Sequence, residues 1–350
     1  MHPLLKTKDK QGGYLHYAML PIQDLQPLLQ TPKKIFITTH HKPDGDAIGS
    51  MMGLYHYLVK KGHAITPVAP SEIPDFLMWI PGIEHALNYE AESKRAETAL
   101  TEAEIVYCLD FNDYSRTKYM TESLAQAKAP KVLIDHHLMP KPVWDYGVSM
   151  PAKSSTCEMV YDYINLCGDN DLIDLNIASC LYTGVMTDTG SFRFPVTTAS
   201  VHEMVADFMR KGLNHSPIHE AVYDSWGVKR MQFLGYVLLE RMEIFPKYNA
   251  GLICLSKKDL KLFDVNTGDT EGLVNYPLSI GSVKFATMIT ERGDEVKLSF
   301  RSKGDFDVST LARTYFNGGG HFNASGGTSK QSFEETITYF KEILSDIHPR

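Results

Sequence analysis

Thr39-His40-His41-Lys42-Pro43-Asp44-Gly45-Asp46-Ala47-Ile48-Gly49-Ser50 follows directly on the apolar, β-branched run Ile35-Phe36-Ile37-Thr38. That run reads as a buried strand. Beyond the loop, Ile48, Met51, Met52, Tyr55, Leu58 and Val59 recur with helical spacing, and Lys60-Lys61-Gly62 supplies a stop. His40, Asp44 and Asp46 therefore sit on a strand-to-helix loop, where open α/β sheets keep their ligands. One imidazole and two carboxylates within seven residues suit a hard or borderline divalent ion. The plain alternative is a polar turn with a helix cap.

Outward from this loop the same pattern repeats. Ala64–Ala69 reads as a second strand, with Pro67 favouring an edge. Glu104–Asp110 is a third, ending in a carboxylate, and Lys131–His137 a fourth, ending in Asp135-His136-His137. Ile22–Leu29 reads as a short helix and residues 1–20 as irregular. Ile83–Ala99 reads as polar surface. Apolar strands alternating with helical segments predict a parallel sheet covered by helices. Ser155-Thr156-Cys157-Glu158 is a capping box for a helix through Cys167, stopped by Gly168. Asp174–Met186 and Thr198–Lys211 are further helices, and His219–Ile244 reads as a helical connector. Gly251–Ser256, Ser282–Thr290 and Glu295–Ser302 read as strands, the last two joined by a turn at Glu291–Asp294. Helices around Ser309–Phe316 and over Ser332–Ile347 complete the chain.

With 350 residues and a net charge of −7, the chain is long enough for two cores and carries no overall positive field for long nucleic acid. Five cysteines without a CxxC pair argue against a zinc ribbon or a disulfide framework and for reduced thiols, hence a cytoplasmic protein. No signal-like start and no apolar run of about 20 residues occurs, so no membrane partner is expected.

Three strand ends and one helix end carry the same chemistry: His40, Asp44 and Asp46; Asp110; Asp135, His136 and His137; and Asp188. In a parallel sheet these ends point one way, so residues far apart in sequence can converge. Clustered carboxylates repel unless a cation lies between them. Two divalent ions about 3.5–4 Å apart would remove that cost and can clamp a phosphoryl group. A second feature is Gly318-Gly319-Gly320-His321. Consecutive glycines can turn their N–H groups into an anion nest, to which His321 adds a donor and Arg301 a bidentate phosphate contact. A flexible loop is the plain alternative.

These motifs, His-x-x-Pro-Asp-x-Asp, a strand-end Asp, Asp-His-His and Thr187-Asp188-Thr189-Gly190, resemble in order those of the DHH phosphoesterase superfamily. Gly318–Gly327 resembles the signature of its DHHA1 accessory domain. The pattern is most similar to the NrnA-type group, which comprises oligoribonucleases and 3′-phosphoadenosine-5′-phosphate phosphatases and is also called exopolyphosphatase-related. The resemblance implies a Rossmann-like α/β DHH domain with helices on both faces (1–215), a helical connector (216–245) and a smaller α/β DHHA1 substrate-binding domain (246–350). It implies two divalent ions, usually Mn2+, with Mg2+ or Co2+ admissible. His40, Asp44 and Asp110 would hold one; Asp46, Asp110, His136 and Asp188 the other. A water between them would be the nucleophile. Asp135 would orient the ligating imidazole beside it, and His137 would face the substrate phosphate. Arg301 and Gly318–His321 would grip the far end of the substrate across a cleft, and Arg116 and Arg193 are candidates for the same cleft.

The implied function is hydrolysis of short oligoribonucleotides, 3′-phosphoadenosine-5′-phosphate or linear dinucleotides, with a homodimer allowed and long duplex nucleic acid excluded as a partner. Two other functions compete. A pyrophosphatase or exopolyphosphatase would use the same metal site without the second domain's Gly-Gly-Gly-His. A non-catalytic nucleotide sensor would not need an intact ligand set.

Overall fold

The computed structural model describes residues 7–8, 14–15, 19–266, 268–293 and 295–347. Most of the stretch expected to be irregular, 1–20, and Asp294 of the expected turn lie outside them. The chain divides into two compact units, Met1–Asp224 and Ser225–Arg350.

In the first unit, β1 (Thr7–Lys8) pairs with β2 (Tyr14–Leu15). The main elements follow as β3 (Leu20–Pro21), β4 (Lys34–Thr38), α1 (Gly45–Lys60), β5 (Ala64–Ala69), β6 (Leu87–Asn88), α2 (Tyr89–Glu102) and β7 (Ile105–Leu109). They continue as α3 (Thr121–Gln126), β8 (Lys131–Asp135), β9 (Tyr146–Ser149), α4 (Thr156–Leu166), α5 (Leu175–Asp188), α6 (Ala199–Arg210) and α7 (Ser216–Tyr223). Seven strands form one sheet in the order β3-β9-β8-β7-β4-β5-β6, every neighbouring pair parallel. Along β7, Ile105, Tyr107 and Leu109 join the core built with α1, α4, α5 and α6, while Val106 and Cys108 join the core built with α2 and α3. The period of two thus feeds both faces, which is why these strands read as continuous apolar runs. From β4 the chain winds to β5 and β6, then returns to β7 on the other side of β4. The loops after β4 and β7 flank this reversal, where open α/β sheets leave a crevice.

The region read as polar surface, Ile83–Ala99, is instead a 3₁₀ turn (Ile83–His85), β6 and most of α2. Only Tyr89, Ala96 and Leu100 of α2 are buried, too thin a stripe to stand out among its charges. Pro67 lies in β5, which pairs along its length with β4 and with β6 only at Val68 and Ala69.

The second unit contains α8 (Val228–Tyr236), β10 (Met242–Phe245), β11 (Ala250–Leu255), α9 (Lys257–Leu262), β12 (Phe285–Arg292), β13 (Glu295–Ser302), α10 (Val308–Tyr315), β14 (Gly319–His321), β15 (Ala324–Ser329) and α11 (Phe333–Ile347). Its sheet runs β10-β11-β12-β13-β15-β14 and is mixed, with β11 and β12 parallel and the other pairs antiparallel. The expected continuous helix over His219–Ile244 is broken. α7 ends at Tyr223, α8 starts at Val228, a π turn covers Val237–Arg241 and Met242–Phe245 is strand. The expected glycine nest is also different: Gly319–His321 is an extended edge strand paired with β15. A side chain at Gly318 would run into the backbone of Gly326, so close packing of two strands explains that glycine. No described helix is long and apolar enough to cross a membrane.

Candidate metal centre

Each strand end delivers its side chain by a local device. Asp44 is the N-cap of α1, its Oδ1 accepting the N–H groups of Asp46 and Ala47 at 3.1 Å each. That is the standard use of Asp at a helix start. It leaves Oδ2 on the side of His40, 3.9 Å from Nε2. Asp46 follows in the first turn and is fully buried. Asp110, one residue past β7, adopts φ +64° while its N–H still bonds the Ile134 carbonyl of β8 at 3.1 Å. A left-handed conformation at Asp is uncommon, and here it swings the carboxylate back over the strand ends. Asp135 closes β8, and Asp188 closes α5.

The side chains converge. His40 Nε2 lies 3.5 Å from Asp110 Oδ2, and His136 Nε2 lies 3.4 Å from Asp110 Oδ1, 3.4 Å from Asp188 Oδ2 and 3.8 Å from Asp46 Oδ2. Three sets result within the first unit: His40, Asp44 and Asp110; Asp46, His136 and Asp188; and Asp110, Asp135 and His137, each with its ligand atoms within 4.8 Å of one another. Asp110 offers one oxygen to each of the first two.

The imidazoles show what the sets suit. His40 Nδ1 faces the His41 carbonyl at 3.1 Å and His136 Nδ1 faces the Lys153 carbonyl at 3.3 Å. A carbonyl only accepts, so Nδ1 carries the proton in both rings and a neutral ring has its lone pair on Nε2. Both lone pairs then point at carboxylate oxygens. A cation between them resolves the repulsion, and a backbone carbonyl behind a ring is the usual support of a metal-ligating His. Burial, then the neighbouring Asp110, pushes Asp46 up to about 7. Burial and the Asp46 charge push Asp188 well above the carboxylate range. Burial also opposes charge on Asp110, yet hydrogen bonds from His136 and His40 outweigh it and hold Asp110 well below that range. For His136 and His40 burial favours the neutral ring, but the surrounding carboxylates win and raise both. The donor set of imidazole nitrogens and carboxylate oxygens fits divalent cations of the manganese, magnesium and cobalt kind.

Asp135 takes a different position from the one expected. It contacts His137, Nδ1 to Oδ1 at 2.7 Å, rather than the His136 ring, whose Nδ1 has the Lys153 carbonyl. His137 Nδ1 also lies 3.6 Å from Asp110 Oδ1. The Oδ2 of Asp135 is buried without a hydrogen-bond partner among the described residues. His41 turns away from the cluster to Glu90 at 3.3 Å. Arg116 is exposed in a 3₁₀ turn after β7, and its charge disfavours protonation of His40. Arg193 is exposed and bonds the Gly190 carbonyl at 2.6 Å. Missed in the sequence were Thr156 and Cys157, whose N–H groups hold Asp46 Oδ2 and Oδ1 at 2.6 and 2.8 Å. The signal was present: the start of a helix offers unpaired N–H groups to an anion.

Arg301 and Gly318–His321 belong to the second unit. There Arg301 of β13 and His321 of β14 are both register partners of Ala324 in β15. Residues opposite one another in antiparallel strands share a face, so the guanidinium and the imidazole flank one methyl group on the same side of the sheet.

Residues 34–185 match the DHH family, N-terminal domain, and residues 259–347 match the DHHA1 domain. The chain is similar to the crystal structure of an exopolyphosphatase-related protein from Bacteroides fragilis, with 38% identity and a TM-score of 0.88 over 93% of this chain and 95% of that one. It is 29% identical over 324 residues to the bifunctional oligoribonuclease and PAP phosphatase NrnA of Thermus thermophilus, covering 89% of this chain and 90% of the relative. Similarity to the protein of the same name from Bacillus subtilis is 25% over 315 residues, covering 89% and 93%.

Proposed function

We propose, since the chain belongs to the DHH family and carries a DHHA1 domain, that it is a metal-dependent phosphoesterase acting on short oligoribonucleotides and on 3′-phosphoadenosine-5′-phosphate. The observation that carries the reading is Asp110, buried, with Oδ2 toward His40 and Oδ1 toward His136. His40, Asp44 and Asp110 would hold one divalent ion, and Asp46, Asp110, His136 and Asp188 the other, with manganese the first choice. The chemistry such a pair supplies when bound is a water ionised near neutral pH and a positive clamp on the phosphate.

The chain's own residues do the rest. His137 is held by the buried Asp135 at 2.7 Å and serves the leaving oxygen as donor or charge stabiliser. Arg116 offers a cation beside the His40 set for the substrate phosphate. In the second unit the Arg301–Ala324–His321 row takes a second substrate phosphate, and the edge strand at Gly319–His321 lets it approach the backbone. Residues 1–215 thus carry the chemistry, 216–245 connect and 246–350 bind substrate. The names of the Thermus and Bacillus relatives support the substrate class. Five unpaired cysteines support a reducing, cytoplasmic setting.

One assay of manganese-loaded protein against 3′-phosphoadenosine-5′-phosphate, a two-to-five-residue RNA ladder and pyrophosphate tests this. The two nucleotide substrates are expected to be turned over in preference; a preference for pyrophosphate or for long RNA overturns the reading. Asp110→Ala is expected to abolish turnover and lower metal content, because neither ion keeps its full shell. Undiminished turnover in that variant rejects the dinuclear site.

A further inference from the structure

Three of the candidate ligands are steadied by one five-residue segment, Lys153–Cys157. Its Lys153 carbonyl accepts from His136 Nδ1 at 3.3 Å. Its Thr156 and Cys157 N–H groups donate to Asp46 at 2.6 and 2.8 Å. Its Thr156 Oγ1 donates to Asp110 Oδ1 at 3.0 Å, the oxygen that faces His136. Lys153–Ser155 lie between β9 and α4 and have no ladder of their own, and Thr156 and Cys157 open α4. The segment's shape is set by one buried carboxylate. Glu158 Oε2 accepts from the Ser154 N–H at 2.9 Å and the Ser154 hydroxyl at 2.8 Å, and Oε1 accepts from Lys153 Nζ at 2.7 Å and from Ser200 Oγ of α6 at 2.8 Å. The Glu158 N–H in turn bonds the Ser155 cap at 3.0 Å. The sequence motif Ser-Thr-Cys-Glu is therefore half a capping box: Ser155 caps the helix, but the Glu158 side chain reaches Ser154 instead of the cap's own N–H.

We propose that Glu158 is a positioning residue for the metal centre, acting through Lys153–Cys157, and that Thr156 selects which Asp110 oxygen serves which ion. The proposal rests on the two-ion reading above. Nothing in the helix itself requires Glu158 to be a buried acid, since Ser155 alone satisfies the cap. Four hydrogen bonds to one carboxylate, all from the segment and from α6, fix where the Lys153 carbonyl and the Thr156 and Cys157 amides point. Loosening them loosens the His136 ring and the Asp46 carboxylate together, while His40 and Asp44 are held by separate devices. The loss should fall on one ion of the two. Groups that orient ligands from behind are worth about 10–100-fold in metal affinity.

The test is manganese titration of the whole protein by calorimetry and by the spin-resonance signal of free Mn2+, neither of which depends on turnover. Wild type is expected to bind two ions. Glu158→Gln is expected to bind the ion of the Asp46–His136–Asp188 set ~10–100-fold more weakly and the other nearly as before. Thr156→Val is expected to weaken the same ion, and Thr156→Ser, which keeps the hydroxyl, to restore it. A folded Glu158→Gln protein that binds both ions with wild-type affinity overturns the proposal. Should that variant fail to fold, the Thr156 pair decides, and equal affinity in Thr156→Val and wild type overturns it. Wild type that binds fewer than two ions is a different failure, that of the dinuclear site itself.

Discussion

At the scale of single residues, neighbours in sequence have opposite tasks. His136 directs Nε2 into the carboxylates and leans on a backbone carbonyl; His137 instead leans on the Asp135 carboxylate. His137→Ala is expected to leave both metals in place and slow the chemical step by ~10²–10⁴-fold, the range of a general acid or an oxyanion stabiliser. Metal content and single-turnover rates measured on one preparation check this, and an emptied site in His137→Ala would show that the ring is a ligand instead. Asp259, in the second unit, tests a structural carboxylate. It accepts from Tyr236 OH at 2.6 Å, Arg241 Nη2 at 2.9 Å and the Ser256 N–H at 2.9 Å. Burial alone would raise it, but Arg241 first, then Tyr236 and Ser256, hold it well below the usual carboxylate range. A depressed carboxylate stabilises the fold above the unfolded value, about 3.9, and that contribution fades as pH falls toward the folded value. Asp259→Asn is thus expected to cost ~1.5–3 kcal/mol at neutral pH and to flatten the decline of stability between about pH 5 and pH 2. Urea melts across that window report it, and parallel curves for the two proteins would remove Asp259 from the account.

At the scale of elements, the centre depends on how closely α1 and α5 approach. Gly45, Gly49 and Gly53 recur every fourth residue of α1, and a side chain at Gly49 would lie 2.5 Å from the Cys180 carbonyl of α5. On the other helix, a side chain at Gly184 would strike Cys157 Sγ and lie 2.8 Å from Asp46 Oδ1. Gly184→Ala is expected to destabilise by ~1–3 kcal/mol, as overpacking does, and to lower metal affinity, because the carboxylate must move. Gly53→Ala, which crowds the Leu181 side chain and meets Cys180 Cβ at an ordinary 3.6 Å but touches no backbone or ligand atom, should be milder and leave metal uptake unchanged. Thermal melts with manganese titration separate the two; equal behaviour would mean the seam does not support Asp46. The four-residue glycine spacing was readable in the sequence but merges there with an ordinary amphipathic helix. Strands β4, β7 and β8 were legible because both their faces are buried, so apolar residues run nearly unbroken. β9 (Tyr146–Ser149) was not, having a Gly and only alternate burial. β14 was read as an anion nest because consecutive glycines suit one; what demands glycine is the backbone of Gly326 at Gly318 and that of Ala324 and Ser325, with a positive φ, at Gly320, while Gly319 has open space. The ligand types were legible because a parallel sheet aligns its strand ends. The pairing of Asp135 with His137 was not, since it depends on the bend after β8.

At the scale of the molecule, the chain joins two sheets of different kinds. The parallel sheet gathers acids and imidazoles at its reversal point, and the mixed sheet sets out Arg301 and His321 in one register row. A net charge of −7 gives long RNA no overall attractive field, since phosphate binding is largely electrostatic. Under the proposed function, selection of short nucleotides comes from a second phosphate held by Arg301 and His321. Binding energy from that second phosphate can be used to align the scissile bond, so it should appear in turnover as well as in affinity. Arg301→Ala and His321→Ala are therefore expected to reduce hydrolysis of 3′-phosphoadenosine-5′-phosphate and of two-to-five-residue RNA by about 10-fold or more, the loss of one charge-assisted phosphate contact being ~1.5–3 kcal/mol. Bis-p-nitrophenyl phosphate has no second phosphate to grip and needs only the metals, so its hydrolysis by the same variants should barely change. Parallel kcat/KM measurements on the nucleotide and the generic ester decide the matter. An equal fall on both would mean that Arg301 and His321 support folding or the metal centre rather than the substrate.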